Sequence, residues 1–415
     1  MELENKVLKT EDVRPREVIN HVRKQKISMQ EGATNVYLSV DNGSTETRTF
    51  VYNPGTAQGK VVAIDSAYAV IESDISHIAS KSETLYDNME IEIKDVTQTK
   101  EDRVIYDLKI IKGGLLQDIN VPIERAASNE GKATQDTTFV NIITNVGLRA
   151  YETACKTGKI TKMLSVDLAI TLPTEDLKNV NRMAKFKNRI AGIYTFILPR
   201  FEFEISLLVK PENITLYDEA QAVLDFWAMN NQELYQSMEK VIVIDGGGRS
   251  IDYSLLDNGR IINKGSLTGA YGGTKFEKLI LDDFVASHDT NEPSIDMIRK
   301  ALDTGVLKKG NTEFDLTPSI KKAKSAIART IMRDINTILD ANEIKGDDIN
   351  LLLTSGRLFG ESVGVSKDKS VPSLSKVVEK LYKEKSASIK VDRIKEEFAI
   401  VKGLAYYRLG QLHRA

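Results

Sequence analysis

The sequence predicts an α/β protein of two domains, and three observations carry that reading. Its 415 residues exceed what one small core needs. A strand, an acidic glycine-rich turn and a second strand occur once at Asp41 and again at Asp245. Around both turns, β-type runs alternate with segments of helical period, the pattern of sheets flanked by helices.

Composition narrows the class. Hydrophobic residues make up 41% and charged residues 28%, so the chain can bury ordinary cores and coat them, which excludes wholesale disorder. Lys+Arg total 57 against Asp+Glu 59, a formal net charge of −2, so direct nucleic-acid coating and anionic membrane binding are not expected. No apolar run approaches the roughly 18–20 residues of a membrane helix. The first seventeen residues are charged from the start and lack a signal peptide's apolar core. Cys155, the single cysteine, cannot form an internal disulfide, and His21, His77, His288 and His413 are scattered, so a Cys/His zinc site is not expected. A cytoplasmic protein is expected.

Residues 1–34 read as an N-terminal arm, with Val18, Ile19 and Val22 at helical spacing after Pro15 and a frayed terminus as the simpler expectation. Domain I is assigned to 35–172. It opens with a strand from Asn35, the turn from Asp41 to Arg48 and a strand from Thr49, since Asn42-Gly43 between β-rich runs signals a hairpin. Strand-like segments at 60–69, 89–94 and 104–111 suggest a β-rich insertion over about 55–130, of modest stability. Thr137–Thr157 has helical period, with Cys155 read as a small packed residue. Leu164 to Pro173 is a buried strand whose proline marks the crossing to domain II, 173–387. There the plan repeats: strands at 194–198 and 201–209, a helix at 219–229, a strand at 240–244 entering the second turn, and a strand at 251–256. The last segment, 388–415, follows domain II.

Each turn places an aspartate at the end of a buried strand, followed by small residues and hydroxyls. Glycines let backbone N–H groups crowd one oxyanion because no Cβ blocks the approach. Ser44, Thr45 and Ser250 add hydroxyl donors, and Arg48 can neutralise phosphate charge bidentately. Beside phosphates, the sensible task for Asp41 and Asp245 is to hold hydrated Mg²⁺ through water. Asp, Asn and Gly are also ordinary turn residues, so the pair of turns with matching strands carries the reading. Two decoys are set aside. The run from Gly305 has Asn311 where a Walker lysine must stand, and Gly246–Gly248 has Ile251 at the third fingerprint position with a strand following.

These segments resemble the ATPases of the actin, chaperone and sugar-kinase superfamily. The stretch from Ser39 to Ser44 is similar to their first phosphate loop and Val241 to Asp252 to their second. Leu351 to Leu358 resembles the adenosine-binding strand-turn, and Phe398 to Ala405 the closing helix, which implies that 388–415 returns to domain I as a helix. Size, the Thr171-Leu172-Pro173 crossing and the lack of a peptide-binding module most resemble bacterial actin-like proteins of the ParM type. The resemblance implies an actin-like fold: two α/β domains, each a mixed sheet flanked by helices, with a nucleotide cleft between them. It further implies ATP, or GTP, with Mg²⁺ held through water by Asp41 and Asp245. Asn42, Gly43, Ser44 and Thr45 would cradle phosphates from one side, and Gly246, Gly247, Gly248 and Ser250 from the other. Arg48 falls where such proteins commonly have lysine. Gly272 and Gly273 match the glycine pair near ribose and phosphates, and Ser355, Gly356 and Arg357 the adenosine site. Lys324, on a helix over 319–339, is a candidate for adenine or ribose.

Glu219 matches the acid that orients the hydrolytic water, with Gln221 as runner-up. Its position at a helix start also suits the dipole alone. Trp227 is read as core. Ser250 stands for the usual threonine and Ser355 for a usual glycine. The chain is also longer than most ParM-type proteins and begins with an arm they usually lack. By resemblance the protein is an ATPase that forms head-to-tail filaments and segregates plasmid DNA through a DNA-binding adaptor of the ParR type, without itself touching nucleic acid or membrane. The alternatives are a monomeric nucleotide-dependent switch and a small-molecule kinase using Glu175 or Asp176 as base.

Overall fold

The computed structural model describes residues 9–10, 19–43, 45–56, 58–72, 75, 78, 82–97, 107–117, 121–125, 131–288, 291–360, 371–384, 389–396 and 398–412. Ser44, much of the arm and parts of the 55–130 stretch lie outside the described residues. The chain divides into two compact units, Met1–Phe226 with Ile400–Ala415, and Trp227–Ala399.

The first unit is built on a mixed sheet of ten strands: β1 (Lys9–Thr10), β2 (Ser28–Asn42), β3 (Glu46–Asn53), β4 (Gln58–Asp65), β5 (Ala69–Val70), β6 (Glu90–Asp95), β7 (Asp107–Ile111), β8 (Lys159–Leu172), β9 (Gly192–Leu198) and β10 (Phe203–Asp218). Their order is β1-β4-β3-β2-β8-β10-β9-β6-β7-β5. The centre is parallel, with β2 and β10 on either side of β8. Val166–Leu172 of β8 is buried at every position, as a strand covered on both faces must be. Its one charge there, Asp167, is matched by a bidentate Arg408 at 2.6 and 2.9 Å. Helix α1 (Asp136–Thr157) is buried on nearly all sides and ends on Gly158, whose φ of +67° provides the left-handed cap, and α2 (Val180–Ile190) leads into β9. Cys155 near its end is buried in the apolar core, with its thiol pushed up by that burial.

Three expectations differ from this arrangement. β9 and β10 were placed in the second domain, but they pair with β6 and β8, so the unit boundary falls at 226/227 rather than at Pro173. The β-rich insertion is no separate body: β4 to β7 are strands of the main sheet, and residues of β4, β6 and β7 lie in the core itself. Nor is all of 1–34 an arm. β2 begins at Ser28, Ile19 is core at 4% exposure, and Leu85 donates its N–H to the Val22 carbonyl at 2.8 Å.

The second unit has a five-stranded sheet from β11 (Lys240–Gly246), β12 (Ile251–Asp257), β13 (Arg260–Gly269), β16 (Leu351–Ser355) and β17 (Lys390–Arg393). The hairpin β14 (Val306–Lys309) and β15 (Thr312–Asp315) pairs by itself. The order β13-β12-β11-β16-β17 matches β4-β3-β2-β8-β10 strand for strand. In both, the first three strands are antiparallel and the last two join in parallel. The duplicated turn therefore belongs to a duplicated five-strand core. A second apolar core forms between this sheet and α4 (Gly273–Ser287), α5 (Thr317–Ala341) and α6 (Leu374–Lys383).

The last helix, α7 (Ala399–Leu412), belongs to the first unit from Ile400 on, whereas β17 stays with the second sheet. Gly403 lets α7 approach α3 (Glu219–Asn230) closely, because a Cβ there would collide with the Ala222 carbonyl oxygen. Among the described residues no helix is long and apolar enough to cross a membrane.

Candidate functional site

In the first unit the acidic turn joins β2 to β3. Asp41 and Arg48 are register partners across this hairpin, and Arg48 Nη1 lies 3.6 Å from Asp41 Oδ2. Asp41 is 4% exposed, so the nearby cation offsets part of the cost of burying its carboxylate. Gly43 is required by a close approach, since a Cβ would sit 2.7 Å from the Glu46 carbonyl oxygen. Thr45 is exposed.

The Asn42 side chain turns inward. Its oxygen accepts from Thr47 Oγ1 at 2.7 Å and its amide donates to Thr138 Oγ1 at 3.1 Å. It fastens β2 to β3 and to the start of α1, which leaves only its backbone for a phosphate. Ser66, just past β4, closes the turn from behind: its hydroxyl donates to the Gly43 carbonyl at 2.8 Å and its N–H to the Thr45 carbonyl at 2.9 Å.

Glu219 opens α3, where the Asp218 carboxylate accepts from the N–H groups of Ala220 and Gln221 at 2.8 and 3.1 Å and so caps the helix. Glu219 is 7% exposed, and Lys132 Nζ donates to its Oε1 at 2.6 Å. The runner-up Gln221 lies two residues on, where it stabilises the Asp225 carboxylate. The candidate kinase bases are both engaged elsewhere. Asp176 is buried and accepts from Ala133 N–H at 3.2 Å and Arg182 at 2.8 Å, and exposed Glu175 pairs with Lys178 at 2.9 Å.

In the second unit the structure gathers most of the expected residues. Asp245 at the end of β11 and Ser355 at the end of β16 are register partners in a parallel pair. Gly356 follows with φ of +88°, and a Cβ on it would lie 2.6 Å from the Gly246 carbonyl oxygen and 2.8 Å from Asp245 Oδ1. Glycine there is a steric requirement of both the turn and its neighbour. Gly272, Gly273 and Thr274 donate their N–H groups to the carbonyls of Arg249, Gly247 and Gly248 at 3.0, 3.0 and 2.8 Å. The second acidic turn is thus clasped to the N-terminus of α4. Ser250 Oγ donates to Asp252 at 2.9 Å. Behind this loop, Tyr271 donates its hydroxyl to Asp334 of α5.

Two expected residues stand apart. Arg357 is exposed beyond Gly356. Lys324 is 2% exposed, lies on the buried stripe of α5 and donates to the Pro372 carbonyl at 2.9 Å, with burial lowering its pKa to about 8. It secures the approach to α6 rather than reaching for a base. Trp227 is core-like as expected, its ring nitrogen donating to Asp392 at 3.0 Å.

No group of three or more His, Cys, Asp or Glu residues that could hold a bare metal occurs among the described residues. Single carboxylates at glycine turns suit instead a hydrated Mg²⁺, which keeps most of its waters.

The fold has solved counterparts. The actin-like protein Alp7A superposes with a TM-score of 0.64 at 14% identity, over 92% of this chain and 98% of that one. The fold is actin-like. A ParM from Bacillus thuringiensis with ATP shares it at a TM-score of 0.58 and 12% identity, covering 91% and 99% of the two chains. A ParM from Clostridium botulinum, in a 15-stranded filament, does so at 0.56 and 15%, covering 91% and 99%. No protein-family model and no curated sequence matches the chain. Lys132, which donates to Glu219, and Ser66, which holds the first acidic turn, are announced by no motif in the sequence.

Proposed function

We propose that the chain is an actin-like ATPase that binds ATP or GTP with Mg²⁺ and assembles head to tail into nucleotide-dependent filaments. The observation that supports this most is the duplicated five-strand core, which twice sets an aspartate at the end of its first strand and a glycine turn after it. Asp41 and Asp245 would hold the Mg²⁺ through water, and the ion neutralises phosphate charge when bound. Backbone N–H groups of the two turns bind phosphate oxygens. Glu219, oriented by Lys132, positions the attacking water. Hydrolysis then weakens a subunit contact that the bound triphosphate favours, a two-state element biased by the γ-phosphate. A heterologous contact that does not close on itself yields a filament.

The solved ParM with ATP and the solved ParM filament support the reading by likeness of fold. On the same likeness the cargo is plasmid DNA in the cytoplasm, carried through a DNA-binding adaptor of the ParR type. The net charge of −2 agrees with an indirect link to DNA.

Right-angle light scattering of the purified protein with Mg-ATP, alongside phosphate release, tests the reading. Scattering should rise on ATP and fall as phosphate appears, and Glu219→Ala should assemble but persist. Phosphate release without scattering at any protein concentration would remove the filament and leave a monomeric switch.

A further inference from the structure

We propose that Lys112 is a positioning residue for the first acidic turn, acting through Asn141 and Ser66. Lys112 follows β7, on the part of the sheet that lies beyond β10, and its side chain is completely buried at 0% exposure. Its backbone N–H donates to the Met89 carbonyl at 3.0 Å, which fixes where the side chain starts. The ammonium donates to Asn141 Oδ1 at 2.7 Å and lies 5.7 Å from the centre of the Tyr68 ring. Asn141, on α1, turns its amide N–H to the Ser66 carbonyl at 2.9 Å. Ser66 in turn holds the Gly43 carbonyl through its hydroxyl and the Thr45 carbonyl through its N–H. One lysine is thus linked, through the Asn141 side chain and Ser66, to the carbonyls on both sides of position 44.

An ammonium in such a place is costly, because burial disfavours its charged form and an aliphatic side chain would fill the same volume. The burial lowers its pKa to about 7, with Asp65 at the end of β4 the charge that pulls the other way. What the ammonium supplies that methylene groups cannot is a donor that fixes the Asn141 amide. With Oδ1 held by the lysine, the amide is oriented so that one N–H meets the Ser66 carbonyl. The relay also gives β6 and β7 a role beyond extending the sheet, since they deliver a polar group to the back of the turn. That the turn holds phosphates rests on the function proposed above; the relay does not.

Hydrogen exchange of the full-length protein, read over residues 41–47, tests the relay without nucleotide. Lys112→Met keeps the volume and removes the donor, Lys112→Arg keeps a donor, and Asn141→Ala cuts the relay while leaving the lysine. The turn in Lys112→Met and Asn141→Ala should exchange about tenfold faster than in the wild type, with the second unit's acidic turn unchanged and Lys112→Arg intermediate. Wild-type protection of the turn in both variants overturns the proposal, and Asn141→Ala decides alone if Lys112→Met does not fold. A fluorescent ATP analogue, titrated in parallel, should bind both variants about tenfold more weakly. If even the wild type does not bind it, the nucleotide reading fails while the exchange result still judges the relay.

Discussion

Lys132 Nζ lies 2.6 Å from Glu219 Oε1, and neither side chain is freely exposed. The pair fixes the carboxylate at the start of α3, where an unrestrained glutamate would sample several rotamers. If Glu219 positions the attacking water, its geometry matters more than its charge alone. Glu219→Ala should therefore lower phosphate release about a hundredfold or more, and Lys132→Ala about tenfold. Lys132→Arg should recover part of the loss. Single-turnover phosphate release at saturating nucleotide measures all three, and equal rates for Lys132→Ala and wild type would show that the lysine orients nothing.

Asp41 and Arg48 face each other across the β2–β3 hairpin, which divides the expected effects of their loss. On the function proposed above, removing the carboxylate would take away one of the two groups that hold hydrated Mg²⁺, whereas removing the guanidinium would take away positive charge near phosphate and the cation beside buried Asp41. Asp41→Ala should reduce the dependence of nucleotide affinity on Mg²⁺, because Asp245 alone would remain to hold the ion, and chelation by EDTA should weaken the wild type about tenfold or more. Arg48→Ala should weaken binding and retain the Mg²⁺ dependence. Titration of a fluorescent nucleotide with and without Mg²⁺ distinguishes these outcomes.

Much of the fold was legible because each acid-bearing strand is a short apolar run ended by a glycine turn, a signal contained in a few adjacent residues. The boundary at Pro173 was not, since a proline ends a strand but says nothing about the next partner; β10 returns to pair with β8 through a contact set by the whole sheet. For the same reason β6 and β7 looked like an insertion. Within the second unit the glycines at 272 and 356 could be read because close backbone approach demands that residue type, whereas at Gly246 a Cβ would meet the Leu358 and Phe359 side chains. Ser66, Lys112, Lys132 and Asn141 are ordinary residues brought to their partners by the fold alone. Lys324 did carry a readable signal, because Ile320, Lys324, Ile327 and Ile331 fall on one helical stripe, and that stripe is buried.

Gly403 makes a separate prediction about the returning helix. A methyl group there meets the Ala222 carbonyl oxygen, which is backbone and cannot rotate away. Gly403→Ala should therefore push α7 off α3 and cost about 1–3 kcal/mol, the range for overpacking a close contact. At roughly 2–4 °C per kcal/mol for a body of this size, the midpoint should fall by about 2–12 °C. Gly410→Ala, on the same helix with open space around it, should leave the midpoint unchanged or raise it. Thermal melts followed by circular dichroism compare the two, and equal midpoints would show that the helices have room to spare.

Lys112 sets the expected pH dependence of stability. Burial lowers its pKa from 10.5 to about 7 in the folded protein. Below about pH 7 both folded and unfolded chains carry the proton, and the cost of burying the charge is present in full. Between about 7 and 10.5 the unfolded chain keeps a proton that the folded protein has released. Stability therefore rises with pH across that window, by up to about 1.4 kcal/mol per pH unit from this group. Lys112→Met has no such group, so the wild type should gain on the variant as pH goes from 7 to 9. Urea unfolding of both proteins at several pH values isolates the difference, because the other titrating groups are common to the pair. A gap that stays constant with pH would mean that the folded protein holds this lysine charged throughout.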